Sequence, residues 1–156
     1  MRLFRDLSQL PETAKGGVLV IGNFDGVHKG HQAVLARALE KAGEIDDEAG
    51  AEVTVLVFDP HPRQYFAPHA PSLRLTRLGT RARLLQQYGA TNTVALTFDK
   101  NMAEMSAEDF IQKIIIESFD ARAICIGHDF HFGKNRAGTP DTVSYTHLRA
   151  HETAMY

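Results

Sequence analysis

The sequence predicts an α/β fold: a doubly wound parallel sheet with helices on both faces. Two observations predict it. Short, unbroken apolar runs of strand length alternate with longer runs of helical period, and polar or glycine-bearing turns join them. Strands joined through helices in this way run parallel, with right-handed crossovers.

The elements follow in order. Val18 to Ile21 (VLVI) is a buried strand after Gly16-Gly17. The turn Gly22-Asn23-Phe24-Asp25-Gly26 follows it. His31 to Lys41 reads as a helix with Val34, Leu35, Ala38 and Leu39 on one face. The acidic stretch GEIDDEAGAE is a loop, and Val53 to Phe58 (VTVLVF), rich in β-branched residues, is a second strand. Four of the six prolines (Pro60, Pro62, Pro68 and Pro71) then fall between Phe58 and Leu73. That density predicts an irregular loop with no regular element. Leu78 to Tyr88 is a second helix, closed by Gly89. Thr93 to Phe98 is a third strand. Ser106-Ala-Glu-Asp109 has the form of a capping box and opens a third helix, with Phe110, Ile111, Ile114, Ile115 and Phe119 as its apolar face. Ala123 to Ile126 (AICI) is the fourth strand.

Composition bounds the function. At 156 residues, with 44% hydrophobic and 23% charged, the chain suits one globular domain and is not a disordered tail. Its net charge of −2 gives no basic field, so nucleic acid is not an expected partner. The single cysteine, Cys125, excludes a disulfide framework or a thiolate zinc site within the chain. No apolar stretch approaches the roughly 18 residues of a membrane span. The opening MRLFRDLSQLP carries charges where a secretory signal would be apolar. The expectation is a reduced, cytoplasmic protein without membrane contact.

In an open α/β sheet the ligand lies outside the carboxyl ends of the strands, where the strand order switches. The first predicted strand runs into IGNFDGVHKGH, the second into FDPHP and the fourth into IGHDFHFGKNRAGT. Three polar loops thus converge on one edge. Six histidines precede Val143 (His28, His31, His61, His69, His128 and His131), and all lie in these loops or the proline segment. His28-Lys29-Gly30-His31 is the most informative. A helix N-terminus attracts phosphate through its N–H groups and dipole, Gly30 permits close approach, and imidazoles three residues apart can both donate to one phosphoryl chain. Competing readings exist for several residues. Asp25 fits an Asx-type turn before Gly26, and Asp129 fits a loop cap. Arg136 fits a solvated charge and His69 ordinary surface. Phe130 and Phe132 read as core anchors and Cys125 as a small buried hydrophobe. A histidine metal site from His28, His31, His128 and His131 is geometrically conceivable, but its first pair spans a turn shaped for phosphate.

GNFDGVHKGH, FDPHPRQYF and GHDFHFGKNRAG together resemble the nucleotidyltransferase module of bacterial bifunctional riboflavin kinase/FAD synthetase, with LRLTRLGTRARLLQQYGA in support. The likeness runs from about Val18 to Thr142. HxGH alone marks only the wider nucleotidyltransferase superfamily; the three loops in this order are specific. The resemblance implies a Rossmann-like sheet of the HxGH type and transfer of AMP from ATP to FMN, giving FAD and pyrophosphate, with Mg²⁺ accompanying ATP. It implies that His28 and His31 are catalytic. Gly22, Asn23, Phe24, Asp25, Gly30, Asp129 and Arg136 would bind nucleotide, and His61 and Pro62 would form the FMN side. Two departures stand out: His131 where many members carry Arg, and Asp59 where many carry Glu. Alternatives are another HxGH nucleotidyltransferase and a non-catalytic nucleotide-binding fragment.

Val143 to Tyr156 follows neither helical nor strand period, and VSYTHLRAHET resembles the translation of a transposase-end sequencing adapter. Residues 1–142 are therefore expected to be the adenylyltransferase domain and 143–156 a non-native tail. On that expectation the fold is incomplete at its C-terminus and its last strand is lost. A later serine/threonine motif with an arginine and the riboflavin kinase domain that the resemblance implies would also be absent, and turnover would be low or nil.

Overall fold

In a computed structural model, residues 2–46, 50–71, 74–127, 130–139 and 141–142 and the backbone of 152–155 are described. Six parallel strands form one sheet in the order β1-β4-β3-β2-β5-β6. They are β1 (Arg2–Phe4), β2 (Val18–Ile21), β3 (Val53–Phe58), β4 (Asn92–Leu96), β5 (Ala123–Ile126) and β6 (Glu152–Met155). The helices are α1 (Lys29–Ile45), α2 (Pro62–Phe66), α3 (Leu78–Gln87), α4 (Lys100–Glu104) and α5 (Ala107–Asp109), the last running on into a π-helical stretch, Phe110–Ser118.

The core divides by strand parity. Val18 and Val20 of β2, Val53, Val55 and Val57 of β3, and Ala123 and Cys125 of β5 pack under α1 through Val34, Leu35, Ala38 and Ala42. Leu19, Ile21, Leu56, Phe58, Ile124 and Ile126 face the other way, onto Phe110, Ile111, Ile114, Ile115 and Phe119. Successive side chains of a strand point to opposite faces, so runs that are apolar throughout need a helix on each side. Cys125 is fully buried in this core, and burial pushes its thiol up to about 11. Among the described residues no helix is long and apolar enough to cross a membrane.

The four predicted strands are present; α1 starts two residues earlier and ends four later than expected, and α3 starts where expected and ends one residue short. α1 opens earlier, at Lys29, because His28 caps it; His31 is therefore its third residue rather than its first. Several expectations fail for identifiable reasons. The proline segment does contain a helix, α2, because Pro62 occupies its first position, where no N–H is required. β1 and α4, of three and five residues, are too short to carry a period. The third predicted helix is mostly π-helical, with Phe119 N–H bonding to the Ile114 carbonyl at 3.2 Å. The edge beyond β5 is not bare, since Glu152–Met155 pairs along it from Ala123↔Glu152 to Ile126↔Met155. Edge pairing uses main-chain groups and needs no side-chain period, which is why no pattern announced it.

The switch in strand order falls between β2 and β5, which are hydrogen-bonded neighbours. From β2 the chain moves outward through β3 to β4, then crosses back to β5 on the other side. The carboxyl ends of β2, β3 and β5 share one edge, and the functional loops leave from it.

Candidate active site

The β2–α1 turn is built around two imidazoles that cap one helix. Nδ1 of His28 accepts the N–H groups of Gly30 (3.1 Å) and His31 (3.4 Å). Nδ1 of His31 accepts the N–H of His28 at 3.2 Å. This is a capping box made with rings in place of hydroxyl and carboxylate. The rings stack with centroids 3.5 Å apart and planes 21° apart. A nitrogen that accepts carries no proton, so each neutral ring holds its proton on Nε2 and offers it as a donor away from the main chain. The Gly30 and His31 N–H groups, expected to be free for phosphate, are therefore engaged. An anion at this helix end would meet imidazole N–H first, with the helix dipole behind it.

Burial, and after it the neighbouring His28 ring, push His31 down to about 4, while the Asp25 carboxylate pulls the other way. His31 is thus a neutral donor at pH 7. Gly30 is glycine for a local reason: a Cβ there would lie 3.0 Å from Cε1 of His28. The close approach it permits is that of the His28 ring. Phe24, in left-handed backbone at φ 54°, is buried and presents its edge to His31 with centroids 5.0 Å apart. A Cβ on Gly22 would come within 2.9 Å of the Phe24 ring. These two residues brace the turn from beneath and leave the surface to His28.

Asp25 does not make the short Asx turn. Its Oδ2 accepts the N–H of Leu75 at 2.7 Å; Oδ1 accepts the N–H of Thr76 at 2.8 Å and its hydroxyl at 2.9 Å. Burial opposes ionisation, but these donors and the nearby Arg81 hold the carboxyl below its usual range. The Thr76 hydroxyl also accepts the N–H of Gly26 at 3.1 Å. Asp25 therefore ties the turn to the segment leading into α3, fifty residues on.

Beside this tie lies a cavity of about 470 Å³, within the range of small-molecule sites. Asn23, Asp25, Phe58, His61, Arg74 and Arg81 contribute to its wall. His61 caps α2 by accepting the Arg63 N–H at Nδ1 (3.0 Å), which leaves its proton on Nε2. Its pKa is lowered by partial burial and then by Arg63 and Arg81. Pro62 opens α2 and does not line the cavity. Asp59 is held by Arg5 at 2.7 Å and Arg74 at 3.7 Å.

The loop after β5 is fastened by Phe132, which is buried beside Phe110 at 5.1 Å and bridges to Gly138. Phe130 packs against the same core, so both phenylalanines are anchors. Arg136 is exposed, in left-handed backbone at φ 55°, and His131 is exposed. Asp129 and His128 lie outside the described residues. Among the described residues no group of three His, Cys, Asp or Glu side chains could hold a metal ion. The four-histidine arrangement falls partly outside that set.

Of the residues singled out in the sequence, Asn23, Asp25 and His61 line the cavity and His28 and His31 do not; Arg63, Arg74 and Arg81 line it without having been singled out, and Thr76 ties to Asp25. Only Arg81 carried a signal. It falls between Leu78 and Leu85 with the spacing of α3's buried stripe, an unusual place for a charge.

The family model and the curated relatives agree with one another. The family model described as FAD synthetase matches residues 10–153. A bifunctional riboflavin kinase/FMN adenylyltransferase of Pseudomonas fluorescens is 37% identical over 93% of this chain and 45% of its own length. The protein of that name from Escherichia coli K12 is 37% identical over 88% of this chain and 43% of its own. The chain thus spans less than half the length of these curated relatives. A crystal structure titled as a macrolide-efflux protein from Streptococcus pneumoniae shares the fold, with a TM-score of 0.81 and 25% identity over 99% of this chain and half of that one. With the family model spanning nearly the whole sequence, this chain belongs to the FAD synthetase family.

Proposed function

We propose that the chain transfers AMP from ATP to FMN, giving FAD and pyrophosphate. An FMN phosphate oxygen attacks the α-phosphorus in line. The new P–O bond joins the two mononucleotides, and the bond to the β,γ-pyrophosphate breaks with its electron pair leaving on oxygen. Such a reaction needs positioning and charge stabilisation more than covalent help. The observation that carries the reading is the reciprocal cap, which fixes two adjacent imidazoles as Nε2–H donors at a helix N-terminus, on the turn whose Asn23 and Asp25 line a ligand-sized cavity. His28 and His31 then donate to the phosphates and stabilise charge that grows in the transition state. Gly22, Asn23, Phe24, Asp25 and Gly30 shape the nucleotide turn, and Asp129 and Arg136 serve the nucleotide from the β5 loop. His61, with Pro62 starting its helix, serves the FMN side.

Mg²⁺ enters in this reading as part of the substrate, MgATP. Both Asp25 oxygens accept protein donors and Asp59 is paired with arginines, so neither is a ready ligand. Magnesium often relies on phosphates and water for most of its shell. The reading takes residues 1–142 as the module and Val143 to Tyr156 as adapter-derived; sequencing across Thr142 from independent reads tests that division.

The substrate assignment is tested with ATP labelled at the α-phosphorus, offered with FMN or with phosphopantetheine. Label in FAD, and none in a phosphopantetheine product, is expected. Transfer to phosphopantetheine instead would overturn the FMN reading in favour of another HxGH enzyme.

A further inference from the structure

Arg81 is the one charged group in the cavity wall that is 95% buried, with 5% relative exposure. Its partners are unusual for a buried cation. Nη1 donates to the Asn23 carbonyl at 3.0 Å and Nη2 to the Thr76 carbonyl at 3.3 Å. Nε is buried and has no partner among the described residues. Among the described residues no carboxylate touches the guanidinium; Asp25 and Asp59 act on it through space, and burial pulls its pKa down. A buried ion with neutral partners and an unmet donor is a poor device for stability, because desolvation is costly and incompletely offset.

Its connections suggest another purpose. Asn23 belongs to the turn that carries His28 and His31, and its Oδ1 also accepts the Phe58 N–H at 3.4 Å, at the end of β3. Thr76 belongs to the segment that follows the proline loop, and Asp25 grips it from the other side. Arg81 is therefore a fork whose two prongs hold the nucleotide turn and the segment just after the cavity-lining Arg74 at a fixed separation. Planar, two-pronged donation is what guanidinium supplies and an ammonium cannot.

We propose that Arg81 is a positioning residue for the flavin side of the site: it fixes the segment that carries Arg74, which lines the cavity, against Asn23 of the turn, and so the placement of FMN against the imidazole pair. The inference rests on the adenylyl-transfer reading. Loss of the fork lets Thr76 and the preceding segment relax from the turn. Asp25 still holds the segment, so the wall widens without detaching. The nucleotide phosphates, bound by His28 and His31 on a separately capped helix, are affected less.

The test measures FMN binding by flavin fluorescence and MgATP binding by calorimetry, in the unsubstituted chain, Arg81→Met and Arg81→Lys, with melting temperatures for all three. Loss of two hydrogen bonds from a charged donor predicts about tenfold or more weaker FMN binding in Arg81→Met. ATP affinity should stay within about twofold and the melting temperature within a few degrees, since the ion contributes little to stability. Arg81→Lys should recover part of the FMN affinity, and it serves as the test variant should the Met variant not fold. Unchanged FMN affinity in a folded variant would overturn the inference. Parallel loss of FMN affinity, ATP affinity and melting temperature would also overturn it, marking Arg81 as merely structural. An unsubstituted, folded chain that binds neither ligand would instead sink the adenylyl-transfer reading on which the inference stands.

Discussion

Each imidazole of the HKGH turn commits Nδ1 to the main chain, and that commitment fixes what Nε2 can do. The cap requires unprotonated Nδ1 atoms, so acid works against it. His31 has a folded pKa of about 4 against an ordinary value of 6.5. Below pH 6.5 the unfolded chain binds a proton that the folded chain refuses. The unfolded state holds more protons, so stability rises with pH in this window and is lost as pH falls from about 6.5 toward 4. For a ring only partly buried the loss is on the order of 1 kcal/mol after solvent screening. Urea unfolding at pH 7 and pH 4.5 checks this: the drop should be smaller in His31→Ala, and an equal drop would contradict the assignment. The residue types of this site were legible because HxGH follows a strand and opens a helix. The ring–backbone bonds were not, because hydroxyls and carboxylates are the usual capping groups and imidazole is not expected there.

Among the elements, the tie between the β2–α1 turn and α3 bears most on the site. Asp25→Ala removes the acceptor for three donors on Leu75 and Thr76. The expected cost is about 2 kcal/mol, read from urea denaturation. Weaker binding of both ligands should accompany it, since Asp25 supports both walls; a change below about 0.5 kcal/mol would mean the tie is dispensable. The β5 loop has its own fastening. Phe132→Ala empties a buried site beside Phe110 and should cost about 3–5 kcal/mol by the same assay. A loss under about 1 kcal/mol would show that the loop is not anchored through Phe132. Sequence reading handled these elements unevenly. The strands Val53–Phe58 and Ala123–Ile126 match to the residue because continuous apolar runs are hard to misplace. β1, α2 and α4 escaped because three to five residues carry no measurable period. Contacts such as Asp25 to Thr76 span about fifty residues, and no local pattern encodes them.

For the whole molecule, one sheet does three things at once. Its strand order switches between β2 and β5, its parallel sense brings three loops to one edge, and its two faces bury the helices that hold those loops. That architecture was legible from alternation alone. The chemistry was not, since the same sheet serves many reactions and only the residues at its edge choose among them. The account's central claim is that the His28–His31 pair performs adenylyl transfer to FMN. The most direct test follows FAD and pyrophosphate over time from FMN and MgATP, both saturating, with His31→Ala in parallel. The account predicts slow accumulation of the two products in equal amounts, reduced about 100-fold or more in the variant, as expected for loss of a charge-stabilising donor. FAD formation that survives His31→Ala undiminished would contradict it.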